Sequence, residues 1–549
     1  MSKNILKNKR SCVFILLFVL GTSVWLGGCD TAYKYDITDG IDNNGASEPD
    51  ITIDTEGGID VSMYEKARIF PGLVDTAKEE RINATIELDL NKQYIDSITL
   101  GVSKVPQPIY STGLYAGAGE QVAITVEDNT MGLSVIVGSH MDDLTELAPY
   151  QRMPLVYVAK ALFPGKNIIK NPLGGPIWIK KSLGLKASGT CSLKIEGVYK
   201  SPDFVIGETD LQDWKRRISE TTVPWLEIRG KHFAFTVQKD RVLDNLESIS
   251  STLQEVGKEW DEAIEEFFFE YYGLKIDKDA EEKERAPEFP FRVVLDVQVL
   301  GNLYLRNSDY AIVAINNTYM LEEMLNLRTL RIGNSVALLS AINSMCTYRS
   351  RNNPWPADYR TVANAIPLYR IGKKNFSKEN AFGEIFPGEE NITTLFPKAI
   401  EYAMADSSKW AKEDAATKYD DKTAYKAFDL LSLIQLANYD DNNWEAMKYL
   451  NLKAKEERSI DNSTLSYAFR MLCDYFKQNL CPFFDYWGVE QLDEDRKYAE
   501  QYPLMDKKIW EYNPLNPQQL KDYDVSSYCY RHSRRDWKVS AYDKGYGIN

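Results

Sequence analysis

Histidine is almost missing from this chain: His140, His232 and His532 are the only three in 549 residues, and no two stand four apart. A helix brings residues i and i+4 to one face, so no helix here can offer two imidazoles to one metal ion. Long apolar runs are scarce too. The run at residues 13–20 falls short of the roughly 20 residues that cross a bilayer core, and no other stretch reaches that length. There is no excess of basic charge; the net charge is −15, which disfavours nucleic acid and anionic membrane faces as partners. No internal repeat is visible. Cysteine is sparse: beyond Cys12 and Cys29 there are Cys191, Cys346, Cys473, Cys481 and Cys529. Their odd number and their spacing match no zinc knuckle or disulfide framework. They read as mostly buried small residues, with a Cys473–Cys481 bridge left open.

At 44% hydrophobic and 26% charged the composition is that of a globular protein, and the length allows several domains with sizeable cores. Residues 1–28 read as an export signal, because Lys3, Lys7, Lys9 and Arg10 precede the short apolar run. The segment ends in Leu26-Gly27-Gly28-Cys29, which resembles a bacterial lipoprotein box. That resemblance implies acylation of Cys29 as the mature N-terminus, and from there the chain would carry near −19. Asp30, Asp36 and Asp39 fit a surface-exposed lipoprotein of the Bacteroides type. The expected location is the bacterial outer membrane, with a lipid anchor and the chain facing outward. Residues 29–62, polar, acidic and rich in Gly and Asn, read as a flexible tether.

Further along, residues 63–200 read as a β-rich domain. Alternating runs such as Ala84-Thr-Ile-Glu-Leu-Asp-Leu, Val122-Ala-Ile-Thr-Val and Leu133-Ser-Val-Ile-Val are separated by Gly and Pro, and an antiparallel sandwich is the expected packing. From 201 the pattern turns helical, with apolar residues at helical spacing over 245–272. Phe291-Arg-Val-Val-Leu-Asp-Val-Gln-Val reads as a buried strand. In 330–369, Ile332, Val336, Leu339, Ile342 and Met345 recur at steps of four and three, predicting one helix; Asp358 is the expected N-cap of a second over 359–369. Beyond it the signal stays helical through 394–405, 424–437 and 465–479.

Several segments together resemble the M60 (enhancin-like) peptidases, which act on mucins and other glycoproteins. Ser111-Thr-Gly-Leu-Tyr-Ala-Gly-Ala-Gly-Glu120, Gly138-Ser-His-Met-Asp-Asp-Leu144 and Asn171-Pro-Leu-Gly-Gly-Pro-Ile-Trp178 each resemble a family segment. Pro224-Trp-Leu-Glu227, Arg292-Val-Val-Leu-Asp-Val-Gln298 and Leu480-Cys-Pro-Phe-Phe-Asp-Tyr-Trp-Gly488 follow in the family's order. The resemblance implies an α+β multidomain fold. An N-terminal β-sandwich-like domain (63–200) would precede a mainly helical, gluzincin-like (zincin) metallopeptidase-type domain (201–380), then a helical subdomain (381–515) and a tail (516–549).

Active members place HExxH on one helix and a glutamate ligand on the next; the histidines and that glutamate hold zinc, and the HExxH glutamate is general base to the zinc-bound water. No HExxH occurs in this sequence. Matching Thr361-Val-Ala-Asn-Ala-Ile-Pro-Leu-Tyr369 to the family's second helix puts Arg360 at the glutamate ligand. Matching Ala341-Ile-Asn343 to the first puts Leu338 and Ile342 at the histidines and Leu339 at the general base. Leucine and isoleucine have no lone pair for a metal. A guanidinium 4 Å from Zn²⁺ is repelled by about 8 kcal/mol at an effective dielectric of 20. The expectation is a refilled core with no catalytic residue, no metal and no zinc cofactor.

Other constellations carry less. His140, with Asp142 and Asp143, is a candidate ligand or cation contact, although a plain loop explains the segment as well. His232 reads as a satisfied strand histidine. The pairs Glu265/Glu266 and Glu322/Glu323 read as solvated helix faces, since nothing marks them as a glycosidase pair. Tyr439-Asp-Asp-Asn-Asn-Trp444 lacks the glycine and final glutamate of an EF-hand. Arg531, Arg534 and Arg535 beside aromatics read as surface packing. Trp178, Trp225, Trp355 and Trp487 are conceivable sugar platforms. The function expected is glycoprotein or glycan binding by an M60-like surface lipoprotein, with Arg360, Trp355, His140 and Trp178 as candidate ligand contacts. Arg360 could grip a sulfate or carboxylate. Two alternatives stay open: an active peptidase with an atypical site, and an accessory protein partner in a surface nutrient-uptake complex.

Overall fold

The computed structural model describes residues 70–127, 130–147, 150–185, 188–386, 391–404, 424–439, 444–489 and 491–528. Cys29, the signal segment, the tether and residues 529–549 lie outside these, as do His532 and most of the Tyr439–Trp444 loop. No helix among the described residues is long and apolar enough to cross a membrane.

Eight antiparallel strands form the first sheet: β1 (Ile82–Asp89), β2 (Ile109–Ala116), β3 (Gln121–Val126), β4 (Leu133–Val137), β5 (Val158–Leu162), β6 (Gly165–Lys170), β7 (Gly175–Lys181) and β8 (Thr190–Lys200). The order is β5-β4-β7-β2-β8-β3-β6, with β1 also on β8. β8 makes the corner. Its residues up to Val198 pair with β1 and β3, and Tyr199 and Lys200 then pair with β2. Gly197 sits at the turn of direction with φ +80°, a conformation costly for any residue with a Cβ. The sheet thereby folds over one apolar core, in which Val135 and Ile179 of one half join Ile124 and Ile195 of the other. The expected sandwich-like packing holds. β1 shows why alternation was readable: Ile82, Ala84, Ile86 and Leu88 face inward and the residues between them outward.

A second, mixed sheet of six strands follows: β9 (Phe204–Val205), β10 (Trp225–Arg229), β11 (Phe233–Gln238), β12 (Phe291–Asp296), β13 (Leu305–Asn307) and β14 (Ile312–Ile315), in the order β13-β14-β12-β11-β10-β9. β12 lies parallel to both neighbours and is buried at all six positions, which is why it reads as a continuous apolar run. Helices pack against this sheet: α1 (Leu211–Glu220), α2 (Leu246–Glu262, extended by a π-turn over Ala263–Phe269), α3 (Thr318–Leu325), α4 (Leu327–Arg331), α5 (Val336–Cys346) and α6 (Ala357–Glu379). Farther along come α7 (Ile392–Met404), α8 (Ala424–Ala437), α9 (Glu445–Glu456) and α10 (Ser466–Phe476). The fold is α+β.

Two expectations about residues 330–369 need correction. The predicted first helix is broken: α4 stops at Arg331 and α5 starts at Val336, with Gly333 between them at φ +74°. A Cβ on Gly333 would come within 2.8 Å of the Leu368 carbonyl oxygen, so the break lets α6 approach closely. The second helix runs on to Glu379 despite Pro367 inside it, and it begins before Asp358, with Pro356 as N-cap. Cys473 and Cys481 are buried thiols with no bridge between them, and Cys191 and Cys346 are buried too.

Candidate functional site

α5 is buried nearly all round, with Val336, Leu338, Leu339, Ala341, Ile342, Asn343, Met345 and Cys346 all inside. A helix with no polar stripe belongs in a core. Its N-terminus is capped from α3. The buried carboxylate of Glu323 accepts from the Leu338 N–H (2.8 Å) and the Ala337 N–H (3.3 Å), and the Ser335 hydroxyl donates to the Glu323 carbonyl (2.8 Å). Burial raises the Glu323 pKa. The expectation of a solvated Glu322/Glu323 pair therefore fails for Glu323, 1% exposed, and holds for Glu322. Glu265 is likewise engaged: it accepts from Lys231 Nζ and lies 2.5 Å from His232 Nε2, so His232 is a satisfied histidine.

Asn343 of α5 donates to the Asn364 carbonyl of α6 (2.8 Å). Asn343 follows Ile342, and Asn364 lies one turn beyond Arg360, so this bond ties the two helices together beside those residues. Leu338, Leu339 and Ile342 are each 0% exposed. Arg360 is half-buried; its Nε donates to the Trp355 carbonyl (3.2 Å), and its Nη groups have no partner among the described residues. Trp355 is buried and stacks on Tyr359, with ring centroids 6.4 Å apart.

His140 and Trp178 lie elsewhere. His140, 2% exposed, is wedged edge-on between Phe70 and Trp225. Its Nε2 donates to the Leu295 carbonyl (3.0 Å) and its Nδ1 accepts from Ser139 (3.3 Å), a set that fixes the neutral ring. Burial lowers its pKa to about 4. Asp142 is no free cation ligand either, because Arg306 of β13 binds it with both Nε (2.9 Å) and Nη2 (2.8 Å). Arg152 and Asp296, both fully buried, complete a clamp joining residues 139–156 to the end of β12. Sequence reasoning missed this pair; the only signal was an arginine and an aspartate 144 residues apart. Trp178 donates to Glu227 (3.1 Å), which also takes Arg292 (2.7 Å). Trp178, Trp225, Trp355 and Trp487 are all at most 4% exposed, so none is a surface platform. Their indole faces serve the core.

Residues 80–195 match the N-terminal domain of M60-like peptidases, and residues 197–331 match peptidase M60, enhancin and enhancin-like. Over these residues, a little under half of its length, the chain is similar to the M60-like peptidases. The match ends five residues before α5. Human TRPM8 channel-associated factor 2 is 27% identical over 195 residues, 34% of this chain and 19% of that protein. TRPM8 channel-associated factor 3 of Mus musculus is 24% identical over 424 residues, 74% of this chain and 40% of that protein. The chain spans less than half the length of either relative. Among solved structures, the M60 catalytic domain of Clostridium perfringens ZmpC, in complex with the sialyl T antigen, superposes with a TM-score of 0.59 at 15% identity, covering 78% of this chain and 82% of that one. A functionally unknown conserved protein from Bacillus anthracis gives 0.57 at 18% identity, covering 81% and 84%. These likenesses establish the fold.

An M60-like fold raises the question of zinc. The side chains that the sequence resemblance sets at the zinc positions do not fit a metal: three hydrocarbons without a lone pair, and one permanent cation. Burial of Leu338, Leu339 and Ile342 contributes about 1.5–3 kcal/mol each to folding.

Proposed function

We propose that the protein is a surface lipoprotein, acylated at Cys29, that holds glycoprotein or glycan ligands on an M60-like scaffold without cleaving them. The observation that carries this reading is the chemistry of α5 and α6. At the positions that the sequence resemblance matches to metal ligands and a general base stand fully buried hydrocarbon and a half-buried guanidinium whose Nη groups have no partner among the described residues. A fork of N–H donors suits a carboxylate or sulfate, and it is held in place by the Trp355 carbonyl. The sugar-bound ZmpC domain supports the idea that this scaffold seats a glycan. The fold alone would not, since one fold hosts many functions.

The test is a glycan array with native protein and Arg360→Ala, beside metal analysis and a mucin-cleavage assay. Native protein should retain acidic glycans and Arg360→Ala should weaken them by roughly ten- to a hundredfold, the scale of one charge-assisted bidentate contact of about 1.5–3 kcal/mol. One equivalent of zinc with mucin cleavage would overturn the non-catalytic reading. Equal retention by Arg360→Ala would overturn the role of Arg360.

A further inference from the structure

A cavity of about 350 Å³ opens where the first sheet meets the β13–β14 turn, beside Met345 on the last turn of α5. Its charges run against those of the chain. The protein carries −15, yet this cavity is lined by Lys104, Lys180 and Arg292, with Asp309 as the sole acid in its wall. Asp309 does little to neutralise it, because its carboxylate is 91% exposed and 3.8 Å from Lys104. Arg292, at the base, is paired with Glu227.

Lys180 is the unpaired cation. It extends from β7, half-buried, with its ammonium 4.6 Å from the centre of the Tyr310 ring and no carboxylate within 4.0 Å among the described residues. Besides the exposed Asp309 carboxylate at 3.8 Å, Lys104 reaches two carbonyl oxygens, Asn307 (3.4 Å) and Ser308 (3.3 Å), both long for an ammonium donor. Burial lowers the Lys180 pKa, and the Asp309 charge offsets that only in part. Tyr94 and Gln107 add neutral polar groups to the wall. Two cations facing one cavity, one stacked on an aromatic ring and neither closely paired with an acid, make a preformed receptor for an anion.

We infer that this cavity binds an anionic group, carboxylate or sulfate, on a ligand about the size of one sugar ring. The volume lies at the lower end of the range for small-ligand pockets, which sets that size. The site is separate from Arg360 and needs no catalytic function on α5.

Glucuronate and glucose 6-sulfate serve as probes and glucose as the neutral control, titrated calorimetrically into the intact protein. At least one acid should bind in the millimolar range or tighter, glucose at least tenfold more weakly, and added salt should weaken the acid. Lys180→Met keeps the apolar stem and should lose tenfold or more in affinity with an unchanged melting temperature. Binding of both acids would mark a general anion site, and of one alone the preferred group. No binding of either acid at 10-millimolar scale, equal binding of glucose, or an unchanged affinity in Lys180→Met would overturn the inference. Arg360→Ala run in parallel separates the sites. If it abolishes acid binding while Lys180→Met does not, the anion belongs at Arg360 and this inference falls.

Discussion

Restoring the family's ligands tests whether Leu338, Leu339, Ile342 and Arg360 stand where zinc would be held. The perturbation is Leu338→His, Leu339→Glu, Ile342→His and Arg360→Glu in one chain. The first three side chains are fully buried, so replacing them forfeits about 1.5–3 kcal/mol each, roughly 4–9 kcal/mol in all. That is comparable with the whole stability of an ordinary domain, about 5–15 kcal/mol. The apo variant should therefore be barely folded. Zinc at a thousand times its dissociation constant returns about 4 kcal/mol by mass action. The expected outcome is one equivalent of zinc by elemental analysis, with a melting temperature that climbs by several degrees on adding metal and falls on chelation. Arg360→Glu alone, at a half-buried position, should keep the fold and supplies the baseline. A quadruple variant that folds but takes up no zinc would refute the register drawn between α5 and α6.

Three further outcomes follow from the geometry. His140 is held neutral with a pKa of about 4, below the 6.5 of a free imidazole, so the unfolded chain takes up its proton first as pH falls. Its contribution of about 3 kcal/mol is present above pH 6.5 and disappears as pH drops through 4; urea melts across that window should show the slope, and His140→Gln should flatten it. Arg152→Ala leaves the Asp296 carboxylate buried without its cation and should cost about 3–5 kcal/mol, seen as a lower urea midpoint at unchanged m; a loss under 1 kcal/mol would contradict the clamp. Glu323→Ala uncaps α5 and should cost about 1–3 kcal/mol in the same assay, while Glu322→Ala, on the exposed face, should cost little.

Where one residue's neighbours in sequence are also its neighbours in space, the chain was legible. The alternation of β1 and β3, the apolar run of β12 and the helical spacing of α2 are local patterns, and each appears as an element close to its expected bounds. The errors fall where distant residues decide. Gly333 broke an apparently continuous helix because the Leu368 carbonyl needs the space a Cβ would fill, and Pro367 sits within α6, whose helix continues past it. Of two adjacent glutamates, periodicity could not tell that Glu323 turns inward to cap α5 while Glu322 faces water.

The same division runs through the site. Three histidines, none four residues from another, rule out a two-histidine helix whatever the fold, because coordination chemistry depends on which atoms exist. The sequence alone determined that. Tertiary structure alone decided which candidates can meet a ligand. His140, Asp142 and Trp178 lie inside because the two sheets close over them and supply their partners: a carbonyl, an arginine and a glutamate from strands more than 40 residues away. Arg360 keeps Nη groups without a partner among the described residues, and Lys180 opens onto a cavity that no local pattern announces. Burial and pairing are properties of the packed chain, since water and carboxylates are excluded or admitted only once the elements have come together.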